Sequence, residues 1–189
     1  MSEDGSHLTN QLLIAMPALD DPNFARTVAY VCQHDADGAM AVVINRPATY
    51  RLGDILDELK LETSRPGPGD APVLMGGPVS VERGFVLHSA DARTWDSSIQ
   101  PAADLLLTTS RDVLAAIAAD QGPARFLFAL GYAGWGAGQL ERELRDNAWL
   151  TAPAERSLLF DVPPDQRWHA ATASIGIDPS QLSSYAGRA

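Results

Sequence analysis

The sequence predicts a single α+β domain built on a mixed, mostly antiparallel sheet. Apolar runs at residues 27–34 and 39–45 flank Asp35-Ala-Asp-Gly38, a short hairpin signal that rules out a wholly parallel sheet. The remaining apolar and amphipathic stretches interleave as about seven strands and four helices without a regular βα rhythm. A chain of 189 residues that is 46% apolar fits one domain with a sizeable core.

Residues 10–16 read as a strand stopped by Pro17, and Leu19-Asp-Asp-Pro-Asn23 is turn chemistry. The hairpin strands follow, and Pro47 closes the second because it has no N–H for a ladder. Leu52, Ile55, Leu56 and Leu59 recur at helical spacing, so residues 52–61 form a short amphipathic helix with a solvated acidic face. Residues 64–72, rich in proline and glycine, read as a loop. Residues 72–79 and 84–89 suit strands, residues 91–100 read as irregular, and 105–108 as a short strand. Ser110 is placed to cap an alanine-rich helix over 111–120, which Gly122-Pro123 stops. A buried strand over 124–131 leads into a loop with Gly131, Gly134, Gly136 and Gly138, then a helix over 139–146. A strand at 157–161, a helix at 165–174 ended by Gly176, and a last turn at Asp178-Pro-Ser180 complete the reading.

The chain carries 24 acidic and 14 basic residues, a net charge of -10. Its mean field repels nucleic acid and anionic lipid. Arg142 and Arg145 are interleaved with Glu141, Glu143 and Asp146, so no basic stripe offsets that field. Direct, sequence-specific DNA binding is therefore not expected. No run approaches the ~18 apolar residues of a membrane span. The polar, acidic residues 1–7 are unlike a signal peptide and read as a flexible N-terminus ahead of one domain over 8–189. The single cysteine, Cys32, suits a reducing compartment, and a cytoplasmic protein is the expectation.

The glycine segment 131–138 invites an anion-binding reading, since helix N-termini attract phosphate. The patterns fail, however. Gln139 stands where a dinucleotide fingerprint needs its third glycine, and no Gly-Lys-Ser/Thr follows Gly136. The competing reading is a tight turn whose glycines let Tyr132 or Trp135 pack closely. Cys32 and His34, two apart on a strand, should share a face and with His88 suggest a three-ligand metal site, against the simpler reading of a buried thiol and a hydrogen-bonded histidine. Arg46 and Arg83 sit at strand boundaries, where their forks suit an anion or a structural ion pair. Asp20, Asp21, Asp35 and Asp37 fall in turns without EF-hand spacing. There is no Gly-x-Ser-x-Gly, and no cofactor or metal is expected.

Several blocks in order resemble the YqgE/AlgH family of bacterial proteins. They include Leu12-Leu-Ile-Ala-Met-Pro17, Asp21-Pro-Asn-Phe24, Cys32-Gln-His34, Gly38-Ala-Met-Ala-Val-Val-Ile-Asn-Arg-Pro47, Gly76-Gly-Pro-Val79 and Arg83-Gly-Phe-Val-Leu-His88. The glycine segment with its helix, Trp149-Leu150, Gly176-Ile-Asp-Pro179 and Leu182-Ser183 extend the match over nearly the whole chain. Ala41 departs from the glycine expected in the family's strand, and Ala133 stands at a position that varies. The resemblance implies a large, barrel-like mixed sheet flanked by helices. It implies no established activity. Some members are labelled transcriptional regulators because of effects on expression, which implies indirect regulation here.

Two functional expectations result. The first is a non-catalytic cytoplasmic regulator acting through protein or small-ligand contacts, with Gly134, Trp135, Gly136 and the Gly76-Gly77-Pro78 turn as its working surface. The second is an enzyme or sensor for an anionic small metabolite. There Asn45, Arg46, Arg83 and His88 would converge on one pocket, with the arginines orienting the anion and His88 exchanging a proton.

Overall fold

A computed structural model describes residues 7–17, 19, 21–178 and 180–181. The expectations for residues 1–6, Asp20, Pro179, Leu182 and Ser183 fall outside these. The described residues form ten strands, joined in one mixed sheet, and five α-helices: β1 (Gln11–Ala15), β2 (Val28–Asp35), β3 (Gly38–Val43), β4 (Pro47–Arg51), α1 (Leu52–Glu58), β5 (Pro72–Met75), β6 (Val79–Ser89), β7 (Ser98–Ala102), β8 (Leu105–Thr108), α2 (Arg111–Ala118), β9 (Phe126–Gly136), α3 (Gln139–Arg145), β10 (Trp149–Pro153), α4 (Arg156–Phe160) and α5 (Arg167–Ser174). The main path runs β10-β1-β2-β3-β9-β6-β8-β7, with β5 and β4 branching from β9. All pairings are antiparallel except β5 with β9, so the sheet is mixed and mostly antiparallel, as expected. It curls until β7 approaches β2, giving a half-barrel.

Three apolar cores divide its faces. Inside the curl, Leu12, Ile14, Tyr30, Val42, Phe85 and Leu107 pack against Leu158 and Leu159 of α4 and Trp168 of α5. Outside, α1 and α2 cover Val73, Val86 and Phe128, while Leu140 of α3 covers Ala41, Trp135 and Trp149. Strand β9 contributes to all three. Its residues alternate between the two sides up to Leu130, as a strand's pleat requires. Gly131 then takes φ +77°, and Tyr132 packs into the inner core although the alternation from Leu130 would put it outside. A β-bulge in β6 between Val79 and Gly84 lies beside this break.

Four sequence expectations are corrected. Gly131, Gly134 and Gly136 lie in the second half of β9 rather than in a loop, Gly134 and Gly136 pairing with Met40 and Gly38 of β3, and only Ala137 and Gly138 turn the chain into α3. Residues 157–160 belong to helix α4, with Asp161 as its C-cap, rather than to a strand, and the adjacent Leu158 and Leu159 both reach the inner core. Pro47 begins β4 rather than ending β3, which proline tolerates as the first residue of an edge strand. Residues 98–102 form β7, an edge strand with exposed residues and therefore little apolar alternation to read. Strand β10, antiparallel to β1, is a further element beyond those read from sequence.

Candidate functional site

Asn45 and Arg46 serve one structural purpose. The Asn45 side-chain oxygen accepts the Val28 N–H at 2.8 Å and its amide donates to the Arg26 carbonyl at 2.9 Å. The Arg46 guanidinium donates to the carbonyls of Pro22, Asn23 and Ala25 at 2.7–2.9 Å. Both residues thus pin the turn before β2, and Arg46 spends its fork on backbone rather than on a carboxylate. Gly76 and Gly77 are also committed to packing. A methyl at Gly76 would overlap the Gly131 carbonyl, and one at Gly77, where φ is +153°, would overlap the Tyr132 backbone.

The expected shared face of Cys32 and His34 does not form. Val31 pairs with Ala41 and Gln33 with Met40, so Cys32 is the extra residue of a β-bulge, which breaks the alternation. Cys32 lies in the inner core, where burial pushes its thiol up to about 12. His34 instead points outward to α3. Its Nδ1 accepts the Leu8 N–H at 3.0 Å, which leaves the proton on Nε2 to donate to Glu141 at 2.7 Å. The backbone hydrogen bond at Glu141 and this histidine hold the Glu141 carboxyl below its usual range. His88 is fully buried near Trp95 and joins neither residue. Among the described residues, no group of three His, Cys, Asp or Glu side chains is arranged to hold a metal.

His88 has its own chain of bonds. Its Nδ1 lies 2.9 Å from the Ser89 carbonyl, which can only accept, so Nδ1 carries the proton. Nε2 therefore accepts from the Thr108 hydroxyl at 2.7 Å, and Thr108 accepts from Ser98 at 2.7 Å. Burial pushes the His88 pKa below its usual value, and the bond to the Ser89 carbonyl opposes that only in part.

Trp135 is not on an exposed loop; its side chain lies in the outer core beneath α3. The Trp135 and Trp149 indole N–H groups both donate to the same oxygen of Glu143 at 2.8 Å, and the Gln139 amide donates to the other at 3.1 Å. The Gln139 side-chain oxygen in turn accepts the Gly136 N–H at 3.1 Å. The start of α3 is thus occupied by its own side chains: Gln139 takes a backbone N–H that an anion would need, and Glu141 and Glu143 add negative charge.

What remains is a cleft of about 700 Å³ at the open mouth of the half-barrel, between the β2–β3 hairpin, β9, β6 and β7–β8. Of the expected site residues, Arg83, Gly134 and Trp135 line it; Asn45, Arg46, Gly76, Gly77, His88 and Gly136 do not. The Arg83 guanidinium carbon sits 5.6 Å from the centroid of the Phe85 ring, with no hydrogen-bonding or ionic partner among the described residues. Tyr132, Ile99 and Leu107 add apolar wall, Ser97, Ser98 and Thr109 add hydroxyls, and Asp35 and Asp37 stand at the hairpin end. Serines 97 and 98 and Ile99 carry no sequence signal for this role, because only the curl of the sheet carries β7 across to β2. Phe85 and Tyr132, which meet edge to face at 5.6 Å, were readable only as strand residues.

Comparison with known proteins agrees with this architecture. A family model described as AlgH-like matches residues 12–180. A UPF0301 protein of Xanthomonas campestris pv. campestris is 54% identical over 182 residues, 96% of each chain. A UPF0301 protein of Methylococcus capsulatus is 50% identical over 187 residues, 99% of each. The solution structure of AlgH from Pseudomonas aeruginosa, 46% identical, superposes with a TM-score of 0.79 over the whole of both chains. Protein DIP2367 from Corynebacterium diphtheriae, 21% identical, shares the fold with a TM-score of 0.70 over 98% of this chain and 94% of its own. With a family model matching residues 12–180 and relatives 50–54% identical over nearly the whole of both chains, this chain belongs to the AlgH-like, UPF0301 family.

Proposed function

We propose that this chain is a cytoplasmic regulator that works by binding rather than by catalysis, and that its cleft takes a small anionic ligand with a flat apolar body. The carrying observation is Arg83. A guanidinium stacked on Phe85 and free of a carboxylate offers an unspent, preoriented fork for an anion. Beside it, Phe85, Tyr132 and Ile99 supply apolar contact, and the cleft volume lies within the roughly 300–1,000 Å³ typical of small-ligand sites. Proton transfer is poorly served there. The histidine coupled to the cleft through Ser98 and Thr108 is buried, and protonating its Nε2 would create an imidazolium inside an apolar core. Regulation would then be indirect, since an acidic chain of net charge -10 is ill suited to phosphate backbones.

The test is a titration of the whole chain with benzoate, phenyl phosphate, AMP and inorganic phosphate, followed by amide chemical shifts and thermal denaturation. The aromatic anions should perturb residues 83–85, 97–99 and 132–135 and raise the melting temperature, while inorganic phosphate should do neither. Arg83→Ala should weaken binding about ten-fold or more, as expected for losing a hydrogen bond to a charged group. Binding unchanged in Arg83→Ala, shifts confined to another face, or no binding by any aromatic anion would refute the reading.

A further inference from the structure

The exposed apolar side chains point to a second surface, on the opposite side of β6 and β9 from the cleft. Tyr50 and Val81 are 40% and 59% exposed, unusual for large apolar residues, and they face one groove of about 720 Å³. Its floor is Leu114, Phe128 and Leu130, and one wall is α1. Met75, 57% exposed, is the cross-strand partner of Leu130, and it extends the apolar surface along the sheet. The other wall is Val81 and Glu82, in the stretch where β6 leaves its ladder register between Val79 and Gly84 and Ser80 takes φ +48°.

The groove is apolar along its base and acidic along its rim. On α1, Ile55 and Leu59 form one stripe and Asp54 and Glu58 a parallel one, each pair spaced four residues apart so that its members stack on one helix face. Glu82 stands on the facing wall. Asp54 accepts the Arg51 backbone N–H, whereas Glu58 and Glu82 have no hydrogen-bonding or ionic partner among the described residues. Among the described residues no lysine or arginine lines the groove, and Arg111, at its edge, donates to the Leu59 carbonyl at 2.6 Å rather than to a rim carboxylate. An apolar stripe flanked by uncompensated carboxylates is the complement of an amphipathic helix whose apolar face is bordered by lysine or arginine. We propose that this groove docks a basic amphipathic helix of a partner protein. Nucleic acid and anionic lipid would meet three carboxylates. A second copy of this chain would set the same acidic rim against itself.

The experiment uses the full chain and a fluorescein-labelled leucine–lysine peptide of about 18 residues, designed with one apolar face. Its partner is a scrambled peptide of the same composition. The ordered peptide should bind with salt-sensitive affinity at least ten-fold tighter than the scrambled one, and shift the amides of residues 50–59 and 79–84. Glu58→Gln with Glu82→Gln should weaken it at least five-fold, and Val81→Asp should abolish it. Asp165→Asn, which removes an exposed carboxylate elsewhere, should leave it unchanged. Circular dichroism establishes that each variant is folded. Equal binding of the two peptides, shifts mapping to another face, or indifference to Val81→Asp would overturn the proposal. So would sedimentation showing a dimer that Val81→Asp dissociates, which would assign the groove to a second copy. None of these outcomes bears on Arg83 and the cleft.

Discussion

Glu143 holds the junction of α3 with β9 and β10, and its removal has a calculable cost. Trp135 and Trp149, 6% and 2% exposed, each give their indole N–H to one oxygen of this carboxylate. Hydrogen bonds to a charged acceptor contribute about 1.5–3 kcal/mol each, and an unsatisfied buried donor costs about 1–3 kcal/mol. Glu143 itself is half-buried, so water can reach part of the vacated space and the lower part of that range applies. Glu143→Leu should therefore lose about 2–4 kcal/mol in urea denaturation and lower the melting temperature by about 5–15 °C, on the scaling for a chain of this size. Glu143→Gln keeps an oxygen for the indoles but loses the charge, and should cost about 1 kcal/mol. Amide-region spectra give a second readout, since the Trp135 and Trp149 indole resonances should move upfield in Glu143→Leu and those of Trp95 and Trp168 should not. A loss below about 0.5 kcal/mol, within the range of ordinary surface substitutions, would show that the shared carboxylate is not what holds α3 down.

Gly77→Ala should cost about 3–5 kcal/mol, since the added methyl meets Tyr132 backbone at a positive φ; Gly134→Ala, whose nearest neighbour is the Tyr132 ring at 3.5 Å, should stay within about 1 kcal/mol of wild type, both by chemical denaturation. Because His88 has a lowered folded pKa, the unfolded chain takes up the proton first, and stability should fall as pH drops from about 6.5 toward that folded value, then level off. His88→Gln should flatten this segment of the stability–pH curve, leaving the losses below about pH 4.5 that come from carboxyls such as Glu141 and Asp104; an unaltered slope between pH 5 and 6.5 would remove His88 as its source.

The sequence by itself determined the elements whose signals are local. Residues 35–38 carry a short hairpin loop, and β2 and β3 pair antiparallel across them as expected. Leu52, Ile55, Leu56 and Leu59 share one side of α1, and Gly176, at φ +74°, ends α5 where a residue without Cβ is favoured. The α+β class and the family followed from such signals in order. The tertiary structure decided everything that depends on register between distant segments. One extra residue at Cys32 turned His34 to the opposite face, and a positive φ at Gly131 divided β9 between two cores, which no count of spacings reveals. Glycines that read as a loop became strand because Gly38, Gly76 and Gly77 let neighbouring backbone approach within side-chain distance. Arg46 and Arg83 look alike in the sequence, at matching strand ends. Folding gave one to three backbone carbonyls and left the other over an aromatic ring at the mouth of the half-barrel, because only closure of the sheet determines which cations find partners.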